Sequence, residues 1–140
     1  MSEDPAPLHV LIIDDMPELR KVLGHFISRT LHASVAEAAD GLEAIERLLE
    51  QTPDLIFCDL NMPRMTGFEF LGFITRQEKR VNCPIIVLTS EEDEEIRIQA
   101  IGLSVDAYLR KPFRPDMVLQ VLHGFVVDEY FRGSNGNGKL

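Results

Sequence analysis

Short apolar runs alternate along this chain with longer stretches in which apolar residues recur at helical spacing. A strand that is apolar on both faces needs cover on both sides, and helices between successive strands supply it when the strands run parallel. The alternation therefore predicts an α/β fold built on a doubly wound parallel sheet. His9 to Ile13, Ser34 to Ala38, Leu55 to Asp59, Ile85 to Thr89 and Ala107 to Leu109 read as five strands. Five helices fill the intervals and the end, so that the domain spans residues 8–131, with no internal repeat.

Local chemistry marks the helix starts. Pro17, with its fixed φ and missing N–H, suits a first turn, and the stripe expected to be buried behind it is Leu19, Val22, Leu23, Phe26 and Ile27. Asp40 with Glu43, and Thr66 with Glu69, resemble capping boxes. The first heads a helix carrying Leu42, Ile45, Leu48 and Leu49, and the second a helix carrying Phe70, Phe73 and Ile74. Ser90 is placed to cap a fourth helix whose acidic start, Glu91 to Glu95, complements the helix dipole. A last helix begins at Pro115, with Val118, Val121, Leu122, Phe125 and Val126 at helical spacing. Residues 1–7 read as a flexible N-terminal segment, and residues 132–140 as a flexible tail or the start of a linker.

A length of 140 residues suits one domain. The apolar share of 45% and charged share of 26% are ordinary globular usage and exclude a wholly disordered chain. The longest apolar runs, such as Ile85 to Leu88, are far too short to span a bilayer, and the acidic start Met1 to Pro5 is no secretory signal. A net charge of −9 repels polyphosphate, which argues against direct nucleic-acid binding. Cys58 and Cys83 have no metal-ligand spacing to a histidine and read as buried free thiols in a reducing cytosol, so the expected compartment is cytoplasmic. His9, His25, His32 and His123 read as surface or packing residues.

Ligands of a doubly wound sheet gather beyond the carboxyl ends of its strands. Polar residues collect there: Asp14 and Asp15 after the first strand, Asp59 at the end of the third, Thr89 at the end of the fourth, and Lys111 after the fifth. Three crowded carboxylates repel one another unless a cation neutralises them, and a hard divalent ion with oxygen ligands, magnesium, fits such an open site. The turn Asp14-Asp15-Met16-Pro17 has two acids and no glycine, so it cannot cradle a pyrophosphate. With the cation and Lys111 in place, Asp59 can attack phosphorus as a nucleophile while Thr89 hydrogen-bonds a further oxygen. Taken singly, each residue has a plainer role: Asp14 a cap, Thr89 an edge hydroxyl, Lys111 a solvated loop cation.

On these residues the chain resembles the receiver-domain family of two-component response regulators, in particular the single-domain chemotaxis regulators. The resemblance covers about residues 8 to 127 and rests on Asp14-Asp15, on Asp59 followed by Leu60-Asn61-Met62-Pro63 and Gly67, on Thr89-Ser90, and on Lys111-Pro112-Phe113. It implies a flavodoxin-like sheet of order 2-1-3-4-5. It implies Asp59 as phosphoacceptor, Asp15 as a direct magnesium ligand with Asp14 acting through water, and the Asn61 backbone carbonyl as the remaining protein ligand. It further implies a cis Lys111–Pro112 bond, a switch pair Thr89 and Tyr108, and a histidine kinase or histidine phosphotransfer protein as donor. A protein output partner is then expected on the face made by the fourth helix, fifth strand and last helix. Two departures stand out: Ser104-Val105 replaces a frequent Gly-Ala, with the fourth helix ending near Gly102, and Thr66 replaces a frequent acid.

Two rival readings use the same residues. One is a pseudo-receiver that binds partners without phosphorylation, which an intact acid set disfavours. The other is a magnesium-dependent aspartate-nucleophile phosphatase, whose second acid lies two residues after the nucleophile, whereas Asp14 and Asp15 are adjacent.

Overall fold

The computed structural model describes residues 8–76, 83–90, 98, 102–103 and 105–124. Its strands are β1 His9–Ile13, β2 Ser34–Ala38, β3 Leu55–Asp59, β4 Ile85–Thr89 and β5 Ala107–Arg110. The helices are α1 Pro17–Leu31, α2 Gly41–Glu50, α3 Gly67–Arg76 and a closing helix, Pro115–Leu122. The sheet is five-stranded in the order β2-β1-β3-β4-β5, and every pairing is parallel. This is the expected doubly wound, flavodoxin-like order, and β5 runs one residue further than expected.

Because side chains alternate across a pleated strand, each strand feeds two cores. Val10, Ile12, Leu55, Phe57, Ile86, Leu88 and Leu109 pack beneath Leu23, Ile27 and Leu31 of α1 and Val118 and Leu122 of the closing helix. Leu11, Ile13, Ile56, Cys58 and Val87 face the other way, onto Ala44 of α2, Phe70, Leu71 and Ile74 of α3, and Ile98. All residues of β1, β3 and β4 are buried. That double burial explains why these three runs are almost uninterruptedly apolar.

The helix stripes differ from expectation in an instructive way. Val22 is 71% exposed and Leu49 83% exposed, with Leu42 at 45%. The buried line of α1 instead passes through Gly24 and reaches Leu31. A Cβ on Gly24 would stand 3.2 Å from Val35 Cγ1, so the missing side chain sets the closest approach of α1 to the sheet. On α2, Ala44 is fully buried in the core on the other face of the sheet, while Gly41 faces Met65 of the loop after β3. With small residues on the buried line, Val22, Leu42 and Leu49 lie toward solvent, which a search for large apolar side chains overlooks.

The caps explain where helices begin. Thr66 and Glu69 form a reciprocal box, Glu69 N–H to Thr66 Oγ1 at 3.2 Å and Thr66 N–H to Glu69 Oε1 at 2.9 Å. Asp40 Oδ1 caps the Glu43 N–H at 3.0 Å, whereas Glu43 reaches past Asp40 to the Ala39 N–H. α1 starts on Pro17 with no side-chain cap. Ile98 is helical and fully buried. The Leu103 N–H closes onto Ile98 O at 3.2 Å across Gly102, whose φ of 75° is the left-handed form that ends helices. Glu91 to Glu95, Ser104, Phe125, Val126 and both chain ends lie outside the described residues. Among those described, no helix is long and apolar enough to cross a membrane. Both cysteines are free, Cys58 buried and Cys83 half-buried.

Candidate functional site

The register brings four strand ends to one rim: Ile13 pairs with Cys58, Asp59 with Leu88, and Thr89 with Arg110. Asp14 follows β1 directly and is fully buried. Its backbone N–H bonds Ala38 O at 3.0 Å, and its carbonyl takes Arg20 Nη1 at 2.6 Å. Arg20 is itself held by Glu37 at 2.8 Å. The Asp14 carboxylate is engaged on both oxygens, Oδ1 by the Met16 N–H at 2.9 Å and Oδ2 by Lys111 Nζ at 2.7 Å. Asp15, one residue on, is exposed at the mouth.

Asp59 ends β3 with a side chain only 8% exposed, and Lys111 Nζ stands 3.5 Å from its Oδ1. The Lys111 N–H is tied to Thr89 O at 2.7 Å, and the Lys111–Pro112 bond is cis. Asp14, Asp15 and Asp59 place ligand oxygens within 4.8 Å of one another. Burial, then the neighbouring Asp14 charge, push the Asp59 carboxyl up to about 6, with Lys111 and the Asn61 N–H opposing in part. Burial works against the Lys111 ammonium, but its hydrogen bond to Asp14 and the charge of Asp59 more than offset this and lift its pKa.

The pocket thus holds three carboxylates against one ammonium, with two acids at its floor and one at its open edge. That donor set fits a hard divalent cation that keeps some of its waters. Lys111 alone leaves the acids under-neutralised.

The loop after β3 is shaped around Gly67. A Cβ there would stand 2.0 Å from Asp59 O and 2.7 Å from Leu60 Cα, both backbone atoms. Gly67 N–H closes the loop onto Leu60 O at 3.1 Å. Asn61 sits at the start of that loop with an exposed side chain.

Of the residues expected at the site, Asp14, Asp15, Asp59 and Lys111 are brought together. Thr89 lies on the same rim, buried at 2% exposure. Tyr108 is half-buried on β5 opposite Val87 and packs against the α2/α3-side core. Arg20 was not anticipated; its place one turn into α1, facing a carbonyl, has no signature in sequence. The pairing of Asp40 with Arg64 was likewise missed, because Asp40 reads completely as a helix cap.

Residues 10–123 match the response regulator receiver domain family. The chain belongs to that family, whose members are signalling domains of two-component systems. Chemotaxis protein CheY4 of Vibrio cholerae superposes with a TM-score of 0.76 at 33% identity, covering 86% of this chain and 100% of that one. The receiver domain of sensor histidine kinase PA1611 from Pseudomonas aeruginosa, solved with a magnesium ion in its active-site cleft, gives 0.73 at 28% identity over 86% of this chain and 98% of that one. The nitrate/nitrite response regulator NarL of Escherichia coli is 37% identical over 87% of this chain. The chain spans only 55% of NarL and 46% of the sensory transduction protein LytT of Enterococcus faecalis, about half the length of those relatives.

Proposed function

We propose that this receiver domain is a phosphorylation-activated switch in which Asp59 accepts a phosphoryl group from a histidine kinase or histidine phosphotransfer protein, with magnesium in the acid pocket. The observation that carries this reading is the meeting of Asp14, Asp15 and Asp59 within 4.8 Å beside the Lys111 ammonium. Asp15, Asp59 and the Asn61 carbonyl would hold the cation directly and Asp14 would support it through water. Bound there, magnesium would offset carboxylate charge and the charge on the transferring phosphoryl oxygens.

The chain's own residues do the remaining work. An Asp59 carboxylate oxygen forms a bond to phosphorus while the bond from phosphorus to the donor nitrogen breaks, its electron pair leaving with the imidazole. Lys111, already held between Asp14 and Asp59, supplies a fixed positive charge to the phosphoryl oxygens. The Thr89 hydroxyl donates to another oxygen. The domain itself supplies the groups for both acyl phosphate formation and its hydrolysis, so it acts as a self-modifying signalling protein and not as a turnover enzyme. Movement of Thr89 toward the phosphoryl group lets Tyr108 turn inward, and a protein partner reads the face that includes β5 and the closing helix.

Incubation with acetyl phosphate and magnesium tests the reading. Acid-labile phosphate should map to Asp59 by mass spectrometry, and Asp59→Asn should abolish it. Incorporation at another residue, or none in the presence of metal, refutes the assignment.

A further inference from the structure

The loop that follows Asp59 is fastened from outside the acid pocket. Arg64, within that loop, has a left-handed backbone with φ 61°. Its guanidinium crosses to the head of α2, with Nη2 2.6 Å and Nε 2.7 Å from Asp40 Oδ2. One residue on, Met65 O accepts the Gly41 N–H at 2.9 Å. A Cβ on Gly41 would lie 2.6 Å from Met65 Cγ, so only glycine lets the loop close this tightly on the helix.

Asp40 is more than a cap. Its Oδ1 serves the Glu43 N–H, which leaves Oδ2 to Arg64, and its side chain is only 5% exposed. Asparagine caps a helix about as well as aspartate, so capping alone does not call for a buried charge. Burial pushes the Asp40 carboxyl up, and the hydrogen bonds from Glu43 and Arg64 with the Arg64 charge reverse this and hold it below its ordinary value. The carboxylate is therefore matched to the guanidinium.

We infer that Asp40 and Arg64 form a latch that holds the 60–66 loop against α2, making them positioning residues for cation binding at the acid pocket. The inference rests on the reading of the Asn61 carbonyl as a cation ligand. Neither latch residue belongs to the acid trio. A loop already fastened at Gly67 on one side and at Asp40 and Gly41 on the other has little freedom left to lose when a cation engages Asn61.

The test uses the whole chain and magnesium alone, with affinity from isothermal titration and Gly41 amide exchange followed by NMR without metal. Arg64→Asn removes the charge while tolerating the left-handed backbone, and Asp40→Asn removes the charge while keeping the cap. Each should weaken magnesium binding by about tenfold and speed Gly41 exchange by about tenfold, and the double variant should lose no more than either single. Arg64→Lys should recover part of both. Unchanged magnesium affinity in the single variants overturns the inference, as does a double variant whose loss is the product of the singles. A wild-type chain that binds no magnesium overturns the metal reading itself, and Gly41 exchange then reports whether the latch exists without a ligand to position.

Discussion

Replacing Asp59 by asparagine should stabilise the metal-free protein, a result opposite to the usual effect of altering a buried residue in a core strand. The carboxylate is buried next to Asp14, and its pKa stands near 6 against an ordinary 3.8. At 1.36 kcal/mol per unit, that gap corresponds to a penalty of about 3 kcal/mol for carrying the charge in the fold at pH 8. Asparagine is close to the same shape and removes the charge, but it also takes from Lys111 one of its two acidic neighbours. That loss is already contained in the gap, in which Lys111 opposes the rise, so the gain, discounted for solvent screening at the pocket mouth, is about 2 kcal/mol, or about 6–10 °C in Tm. The sign with pH follows from proton counting. The folded state binds the Asp59 proton more tightly than the unfolded chain, so wild-type stability falls as pH rises from about 4 to about 6. The advantage of Asp59→Asn should therefore be full at pH 8 and nearly absent at pH 4. Magnesium should narrow the difference, since a cation at ten times its Kd stabilises the wild type by about 1.4 kcal/mol and the variant by less, and reverse it at about a hundred times Kd, where the stabilisation reaches about 2.7 kcal/mol. Urea denaturation at pH 4, 6 and 8, with and without magnesium, reads all of these. An asparagine variant less stable than wild type at pH 8 without metal, or an advantage indifferent to pH, refutes the electrostatic account.

Two further perturbations address the scaffold. Gly67→Ala should cost about 3 kcal/mol in denaturant melts, because its Cβ would meet the backbone of Asp59 and Leu60, which cannot step aside as a side chain can; a loss under about 0.5 kcal/mol would show that the α3 start is slack. Val22→Ser should leave stability within about 0.5 kcal/mol, while Ile27→Ala on the same helix should lose about 2–4 kcal/mol, since Val22 is 71% exposed and Ile27 fully buried. Equal losses at the two positions would contradict the observed face of α1.

The strands and the acid trio were legible in sequence because both follow from short-range rules. An apolar run buried on two faces needs no partner to be recognised, and the order of parallel strands places their last residues on one rim whatever lies between. Asp14, Asp15, Asp59, Thr89 and Lys111 could therefore be placed on one rim from position alone. The helix faces were less legible, since Gly24 and Ala44 mark the contact lines by what they lack, and a stripe drawn through Val22, Leu42 and Leu49 follows hydrophobicity away from the sheet. The supporting contacts were the least legible. Arg20 to the Asp14 carbonyl and Arg64 to Asp40 depend on how far one loop folds back on another element, which no local pattern states.

The positions of Lys111 and its two acids suggest why a single lysine suffices. Its Nζ lies 2.7 Å from Asp14 but 3.5 Å from Asp59, so in the unmodified pocket its tighter partner is the acid that takes no phosphate. In the proposed reading, an acyl phosphate exchanges the one carboxylate charge of Asp59 for about two on the phosphoryl oxygens. The balance of attraction on the ammonium then moves from Asp14 toward Asp59, without any new charged residue entering. The Lys111 N–H is bonded to Thr89 O at 2.7 Å, which joins the backbone that carries the lysine to the end of β4. Thr89 would be drawn to the same oxygens, and Tyr108 lies on the adjoining strand, paired with Val87. A contact made only with the phosphoryl group favours one arrangement of these residues over the other, and that difference in contact is what a two-state switch requires. In that reading the change runs from the β1 side of the pocket toward β4 and β5, the edge at which a partner would read it.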